Sequence, residues 1–579
     1  MKNSVLYGIF TAMNHDEQII LAIIEKKPQT KAQFDRARMD ICSELKISQP
    51  GNRDLLEAYQ KLVKKRSIEP DKLIEELLKK ATIRSLSGIA IVTSLVKPYT
   101  CPGKCVYCPT EVRMPKSYIA TEPAAARALR LDFSPYEQMR QRILVLEKNG
   151  HPTDKLEYII KGGTWNAYPI KYQYWFMLES FRACNEVGKN ALSRVLERVI
   201  SRKDTLTEHS PFSQLQKALE KEQTKNETAK HRIIGVTLET RPDNIVPKTI
   251  KQMREQGCTR VELGLQAPDD KILELIVRGH TVQHFRDAMF LLRQAGFKVD
   301  LHFMPDLPGT TPEHDVEMYK SLFTDPGLKP DMVKIYPNTV IPSAELYQWF
   351  LDGRYKPYGD ENLFNALLQM KLATPRYCRI SRLIRDIPST EIAAGNSITN
   401  LRELLEARLK QQGKKCECLR CREIGRQKEK VDLRAEPVLF VESYETTGGT
   451  EYFLTFEDPK RIAVYAFLRL RIPNHVILSG AAAQSKDHLA NNIFQLMPEI
   501  DGCAFIRELH TYGQMVEIGD RNEQASQHKG LGKKLIEKAE AIVKENGFAK
   551  VAVISGVGVR GYYRKWGYRK KGTYMIKSI

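Results

Sequence analysis

Three cysteines, Cys101, Cys105 and Cys108, stand in a C-x3-C-x2-C array directly after the apolar run Ile89 to Val96, and no other feature limits so strongly what this chain can fold into. Three thiolates on one short loop can hold three irons of a four-iron, four-sulfur (4Fe-4S) cluster and leave the fourth iron open to a ligand. The same residues are compatible with a zinc knuckle short of one ligand or with buried free thiols. The flanking sequence favours the cluster. Residues 88–96, GIAIVTSLV, read as a buried strand, and Lys97-Pro98-Tyr99 breaks it immediately ahead of the first cysteine. A ligand loop at the carboxyl end of a first strand is where α/β enzymes place their chemistry.

From 88 to about 340 short apolar strands alternate with amphipathic helices, the later strands being Leu156 to Ile160, Ile233 to Leu238, Val261 to Leu265, Val299 to Phe303 and Met332 to Tyr336. Such repeats predict an α/β fold with a parallel sheet. With the first strand they make about six βα units, a partial (β/α)6 barrel over residues 81–358. Residues 1–80 predict a helical domain: Ile19, Ile20, Ile23, Leu55, Leu56, Tyr59 and Leu62 recur at helical spacing, and the other face is basic. Residues 359–428 form a less regular linker and 429–579 a second α/β domain. The polar stretch Lys189 to Lys230 reads as an insertion, helical or partly disordered.

Chemistry-bearing residues gather at the predicted strand ends. Lys161-Gly162-Gly163-Thr164 follows the second strand, and its missing side chains let backbone approach a ligand closely. Glu239 and Arg241 close the third strand, Glu262 and Gln266 the fourth; these groups can reach a bound cofactor or substrate, or serve only as ion-pair partners. The segment His302 to Gly309, HFMPDLPG, predicts a rigid lip. In the linker, Cys416, Cys418 and Cys421 form a C-x-C-x2-C array that can bind zinc with Cys378 as fourth ligand, or stay unligated. Nearby, Arg376, Arg379, Arg382 and Arg385 recur every third residue, which on a helix makes either a phosphate-binding ridge or an ordinary solvated face. Toward the carboxyl terminus, Gln527-His528-Lys529-Gly530-Leu531-Gly532 opens a helix from Lys533 to Lys544. Glycines there let backbone N–H groups converge on a phosphate, and the helix amino terminus adds partial positive charge.

The cysteine spacing resembles the radical S-adenosylmethionine (SAM) enzymes, in which the open iron chelates SAM and supplies one electron to release a 5'-deoxyadenosyl radical. That resemblance gives Gly162, Gly163 and Thr164 a SAM-contacting role. The Q-x-x-G-x-G loop resembles the pyrophosphate loop of the GNAT acetyltransferases, so Gln527, Gly530, Leu531, Gly532 and Lys533 are expected to hold acetyl-CoA. Tyr563, in a Y-x-K-x-G-Y pattern, is expected near the coenzyme sulfur, where it can protonate the leaving thiolate. The strand Glu508-Leu509-His510-Thr511 is expected to offer backbone groups to the acetyl and pantetheine arm. The whole order of segments, with TLETRPD, RELHTYG and VISGVGVRGYYRKWGY, resembles the family of Elongator catalytic subunits over essentially the full chain. That family builds the carboxymethyl group at C5 of the wobble uridine, position 34 of tRNA, from SAM and acetyl-CoA. The resemblance implies a 4Fe-4S cluster, SAM, acetyl-CoA contacting Lys155, tRNA as partner and an external electron donor. It does not imply further Elongator-type subunits. The tight C-x3-C spacing departs from the eukaryotic members and points to a bacterial or archaeal one.

Composition bears on the alternatives. Ninety Lys plus Arg against 70 Asp plus Glu, a formal charge of +20, favour a polyanionic partner by counterion release. No apolar run reaches the ~20 residues of a membrane span. The amino terminus lacks a signal-peptide pattern, and an oxygen-sensitive cluster needs a reducing compartment, so a cytoplasmic protein is expected. A protein lysine acetyltransferase with a structural iron–sulfur loop is the second reading, with Glu508 as the candidate base. A third is a non-enzymatic RNA-binding scaffold.

Overall fold

The computed structural model describes residues 13–79, 88–188, 206–474, 491–512 and 530–579. Contacts divide the chain into two compact units, Met1–Ala90 with Arg140–Lys155, and Ile91–Met139 with Leu156–Ile579.

The first unit holds the helices His15–Glu25, Lys31–Glu44, Asn52–Lys64 and Lys72–Leu78. Their starts are set by side-chain caps: Asn14 accepts from the Glu17 N–H, Thr30 and Gln33 form a reciprocal capping box, and Asp71 accepts from Leu73 and Ile74. The residues predicted at helical spacing are the core, with Ile20, Ile23, Leu55 and Leu62 fully buried beside Phe34. Lys26, Lys27, Lys31, Arg36, Lys64 and Lys65 stay exposed.

The second unit carries two large sheets. One has seven strands in the order β1-β2-β3-β4-β5-β6-β8, where β1 is Ala90–Leu95, β2 Lys155–Lys161, β3 Arg232–Thr240, β4 Cys258–Gln266, β5 Lys298–Phe303, β6 Met332–Ile335 and β8 Arg379–Arg382. The pairs from β3 to β8 are parallel. Two short strands, β7 (Thr339–Val340) and β9 (Ala394–Gly395), pair separately. This is the expected half-barrel with one strand more than predicted. β8 lies inside the predicted linker, which corrects the helical arginine ridge. Arg376 pairs with Glu457 at 2.8 Å, Arg379 with Glu423 at 2.7 Å, Arg382 with Asp386 at 2.5 Å and Arg385 with Glu122 at 2.7 Å. The described part of the predicted insertion contains the helix Phe212–Asn226, which buries Leu215 and Leu219; residues 189–205 of it lie outside the described residues.

The other sheet runs β10-β11-β12-β13-β14-β16-β15, with β10 Val438–Thr446, β11 Gly449–Glu457, β12 Val464–Pro473, β13 Ala504–Thr511, β14 Lys550–Val553, β15 Arg569–Lys571 and β16 Tyr574–Ser578. β10 to β13 form an antiparallel meander, and β13 then pairs parallel with β14. This sheet docks against the starts of the barrel strands. Arg507 on β13 donates to the Phe297 carbonyl just before β5, and Arg469 on β12 donates to the Tyr377 carbonyl just before β8, each at 2.7 Å.

Candidate active site

The cysteine loop lies at the carboxyl ends of the barrel strands. Cys105 and Cys108 are buried and Cys101 is half-buried. Cys101 Sγ accepts from the Gly103 N–H at 3.4 Å and lies 3.7 Å from Thr164 Oγ1, so the glycine-pair segment meets the loop. Gly162 is required there: its φ is +137°, and a Cβ would run into the Val96 side chain at the end of β1. Arg278 Nη1 donates to Cys105 Sγ at 3.4 Å. Burial opposes ionisation of Cys105 most strongly, but Arg278, with Tyr107 and Arg241, together bring the thiol below its ordinary value. Burial pushes Cys108 up to about 12, against the weaker opposing influence of Ser117, Lys116 and Arg385. Arg241 is buried, pairs with Asp243 at 2.9 Å and leaves Nη1 without a hydrogen-bond partner beside Gly103.

These features fit a cluster. Among the described residues, three or more ligating side chains bring their donor atoms within 4.8 Å of one another at two places, Cys416/Cys418/Cys421 and Glu239/Glu262/His302. The loop cysteines are not such a group. One tetrahedral zinc, with Zn–S of ~2.3 Å, draws its thiolates within about 4 Å of each other, so the looser loop suits a polynuclear centre.

Below the loop the barrel interior is charged, where such barrels usually fill with branched apolar side chains. Register places Thr237, Arg260 and Lys298 in one row, Glu239, Glu262 and Asp300 in the next, and Gly264, His302 and Lys334 above. Lys161 Nζ meets Glu262 Oε2 at 2.8 Å, Lys334 pairs with the same oxygen, and His302 Nε2 lies 3.4 Å from it. Burial would raise the Glu262 carboxyl, yet Lys161 and Lys334 hold it well below the usual range. Its other oxygen, Oε1, is buried without a hydrogen-bond partner. Glu239 accepts from the Tyr118 hydroxyl at 2.7 Å. The two lysines already neutralise this carboxylate group, which argues against a metal ion there. Sequence reasoning named Glu239 and Glu262 but missed Lys334, Tyr118 and the pairing roles of Lys161 and His302. The available signal was the alternation Lys298-Val-Asp300-Leu-His302, charged residues on one face of a buried strand. Lys155 begins β2, and its Nζ is 3.9 Å from Asp154.

In the second sheet, β13 pairs with β14 only from Ala504 to Ile506. Among the described residues no strand pairs with that side of Glu508, Leu509, His510 and Thr511. Gly530 caps the helix Leu531–Glu545 with φ +94°, and nothing lies within 4 Å of where its Cβ would be. The helix starts at Leu531, and a Cβ on Gly532 would meet the Tyr562 hydroxyl at 2.7 Å, so its first turn lies beside Tyr562. Gln527 lies outside the described residues. Tyr563 is buried, and burial raises its phenol above the ordinary value, with Tyr562 and Glu508 adding to the effect. It keeps its proton and can donate it.

Glu508 departs from its expected role as a base. Arg469 binds it at 2.9 Å and Lys298 lies at 3.5 Å. Burial alone would raise the carboxyl, but Lys298 and Arg469 hold it at about 2. A carboxylate so stabilised is a poor proton acceptor at neutral pH.

In the linker Cys416, Cys418 and Cys421 converge at the spacing a single tetrahedral ion requires. Cys378 is buried and interacts electrostatically with Cys418, but is outside that group. Glu406 Oε1 is 4.0 Å from Cys421 Sγ.

The barrel, its thiol loop and the attached sheet define a two-module radical SAM protein. The radical SAM superfamily matches residues 180–322 and the radical SAM C-terminal domain residues 330–411. A tRNA uridine(34) acetyltransferase of Methanocaldococcus infernus is 38% identical over 577 residues, 97% of this chain and 98% of that protein. Human Elongator complex protein 3 is 35% identical over 521 residues, 88% of this chain and 87% of its own. The solved structure of the M. infernus Elp3 with an N-terminal deletion superposes with a TM-score of 0.67, covering 85% of this chain and all of that one (100%). The chain belongs to the family of tRNA uridine(34) acetyltransferases and Elongator complex protein 3. Its similarity to archaeal relatives agrees with the resemblance read from the motifs.

Proposed function

We propose that the chain modifies the wobble uridine of tRNA, using SAM and acetyl-CoA to form 5-carboxymethyluridine at position 34. The observation that carries this reading is that one compact unit holds both a cysteine loop spaced for a polynuclear cluster and a strand edge with a helix start shaped for a coenzyme arm. The names of the relatives supply the nucleic acid, and the excess of basic residues suits it.

In this reading Cys101, Cys105 and Cys108 hold the 4Fe-4S cluster, and Gly162, Gly163 and Thr164 lie along SAM. When bound, cluster and SAM supply one-electron cleavage to a carbon radical. Glu239 and Glu262, kept charged by their buried partners, shape the cavity beneath. Gln527, Gly530, Leu531, Gly532 and Lys533 take the pyrophosphate of acetyl-CoA, Leu509 to Thr511 align its arm, Lys155 contacts it, and Tyr563 donates a proton to the departing sulfur. Glu508 serves by fixing Lys298 and Arg469. The linker thiols hold a structural zinc. An external reductant and a reducing compartment such as the cytoplasm follow from the cluster chemistry. A lysine acetyltransferase reading loses support because its one candidate base, Glu508, is locked in ion pairs.

Anaerobic incubation with SAM, reductant, acetyl-CoA and bulk tRNA, followed by nucleoside mass spectrometry, tests the proposal. A carboxymethyl mass on uridine is expected; acetylated lysine with unchanged tRNA would overturn it.

A further inference from the structure

The three thiols of the loop are not equivalent. Cys101 receives a backbone N–H, Cys108 has the Ser117 hydroxyl near it, and Cys105 alone receives a guanidinium, from Arg278. Arg278 is 173 residues away in sequence and is brought in by the turn after the helix Asp270–Leu275. Val277 takes φ +53°, uncommon for a β-branched residue, to set it there. The side chain is buried, and its second nitrogen is anchored on the Gly264 carbonyl at 2.8 Å. Its Nε has no hydrogen-bond partner. Beside it, burial and the charges of Arg278 and Arg241 push His280 down to about 3, so this neighbour stays neutral. Arg278 and Arg241 therefore act on Cys105, and Arg385, bound to Ser117, acts on Cys108.

We infer that Arg278 is a positioning residue that sets the reduction potential of the cluster, by donating to the Cys105 thiolate and placing a fixed positive charge against one ligand. The inference rests on the cluster assignment proposed above. Adding an electron makes a cluster more negative, and hydrogen bonds and charge at its sulfurs favour that state. A strongly reducing one-electron cleavage needs a low potential, but a donor of finite strength must still be able to fill the cluster. Arg278 tunes that compromise from a seat on β4, through Gly264, rather than from the loop itself.

The test is a redox titration of the anaerobically reconstituted full chain, following cluster absorbance and the electron paramagnetic resonance signal of the reduced form. Arg278→Gln should lower the midpoint. At a fixed solution potential the reduced-to-oxidised ratio should fall about tenfold, about 59 mV for a one-electron couple. Arg278→Lys keeps the charge without the fork that spans Gly264 and Cys105, and should lie between. Gly264→Ala provides an independent variant: a Cβ there meets Arg278 Nη2 at 2.6 Å, so the guanidinium is displaced without being removed, and the shift should have the same sign. Should Arg278→Gln fail to hold iron, the other two variants decide. Wild-type midpoints in the iron-replete variants overturn the inference while leaving the cluster reading intact. A wild-type chain that binds no iron overturns the cluster reading instead.

Discussion

The two ends of the barrel contrast sharply. At the seam with the second sheet, every oxygen of the two buried carboxylates is matched: Asp331 receives Arg293, Arg507 and the Val299 N–H, while Glu451 receives Arg293, Arg471 and Arg507, and the bare atoms there are arginine nitrogens, Arg293 Nε, Arg469 Nη1 and Arg471 Nε. At the mouth, Glu262 keeps one bare oxygen and Arg241 one bare nitrogen. Non-glycine residues there, Ser117, Gln266, Val277 and Asp306, sit at positive φ. Carboxylates paired at every oxygen build a joint, whereas a carboxylate with a bare oxygen and backbone held at positive φ build a place for ligands. The contrast follows the rule that the amino-terminal ends of barrel strands serve stability and the carboxyl-terminal ends chemistry.

If the seam is a joint, breaking it should cost most. Asp331→Ala leaves Arg293 and Arg507 buried without their shared carboxylate, and chemical denaturation should register a loss of ~3–5 kcal/mol. A loss under about 1 kcal/mol would mean that the seam is not what holds the sheets. Gly556 approaches β3 so closely that a Cβ would strike the Ile234 carbonyl. Gly556→Ala should therefore cost about 1–3 kcal/mol by overpacking.

The mouth should respond the other way. Cys105→Ala should abolish SAM cleavage while moving the stability of the iron-free chain by less than about 2 kcal/mol, and acetyl-CoA binding by calorimetry should be unchanged. Retained cleavage would remove the loop from the chemistry.

The smallest effect is expected at the lip. Asp315 accepts from the Asp306 N–H at 2.6 Å and the Tyr358 hydroxyl at 2.8 Å, and burial pushes both aspartates up to about 7. The unfolded carboxyls titrate near ~3.9. Between that value and about 7 the folded chain binds more protons, so these groups make stability fall as pH rises through that window, with no further change above it. Asp315→Asn should flatten the slope; an unaltered stability–pH curve would show that the lip does not titrate there.

Much of the mouth was legible in sequence because its motifs are local. C-x3-C-x2-C and the Gly162–Gly163 pair each declare themselves within eight residues or fewer, and each sits directly after an apolar strand. The seam was not legible, since its partners lie far apart, as with Asp331 and Arg507 at 176 residues. Arg278 was hidden for the same reason. The arginines from Arg376 to Arg385 misled because a three-residue spacing suggests a helix, while Ile380, fully buried, fixes a strand whose charged neighbours pair with carboxylates on other segments. The ion pairs that lock the Glu508 carboxylate were not legible, because Lys298 and Arg469 come from elsewhere in the fold.

The mouth and the second sheet serve one reaction only if the methyl group of the thioester is what the radical attacks. Acetyl-CoA carrying a fully deuterated methyl group, given with SAM, reductant and tRNA, should yield 5'-deoxyadenosine bearing deuterium together with a carboxymethyl group on the wobble uridine. Deuterium-free 5'-deoxyadenosine accompanying modified tRNA would contradict the account.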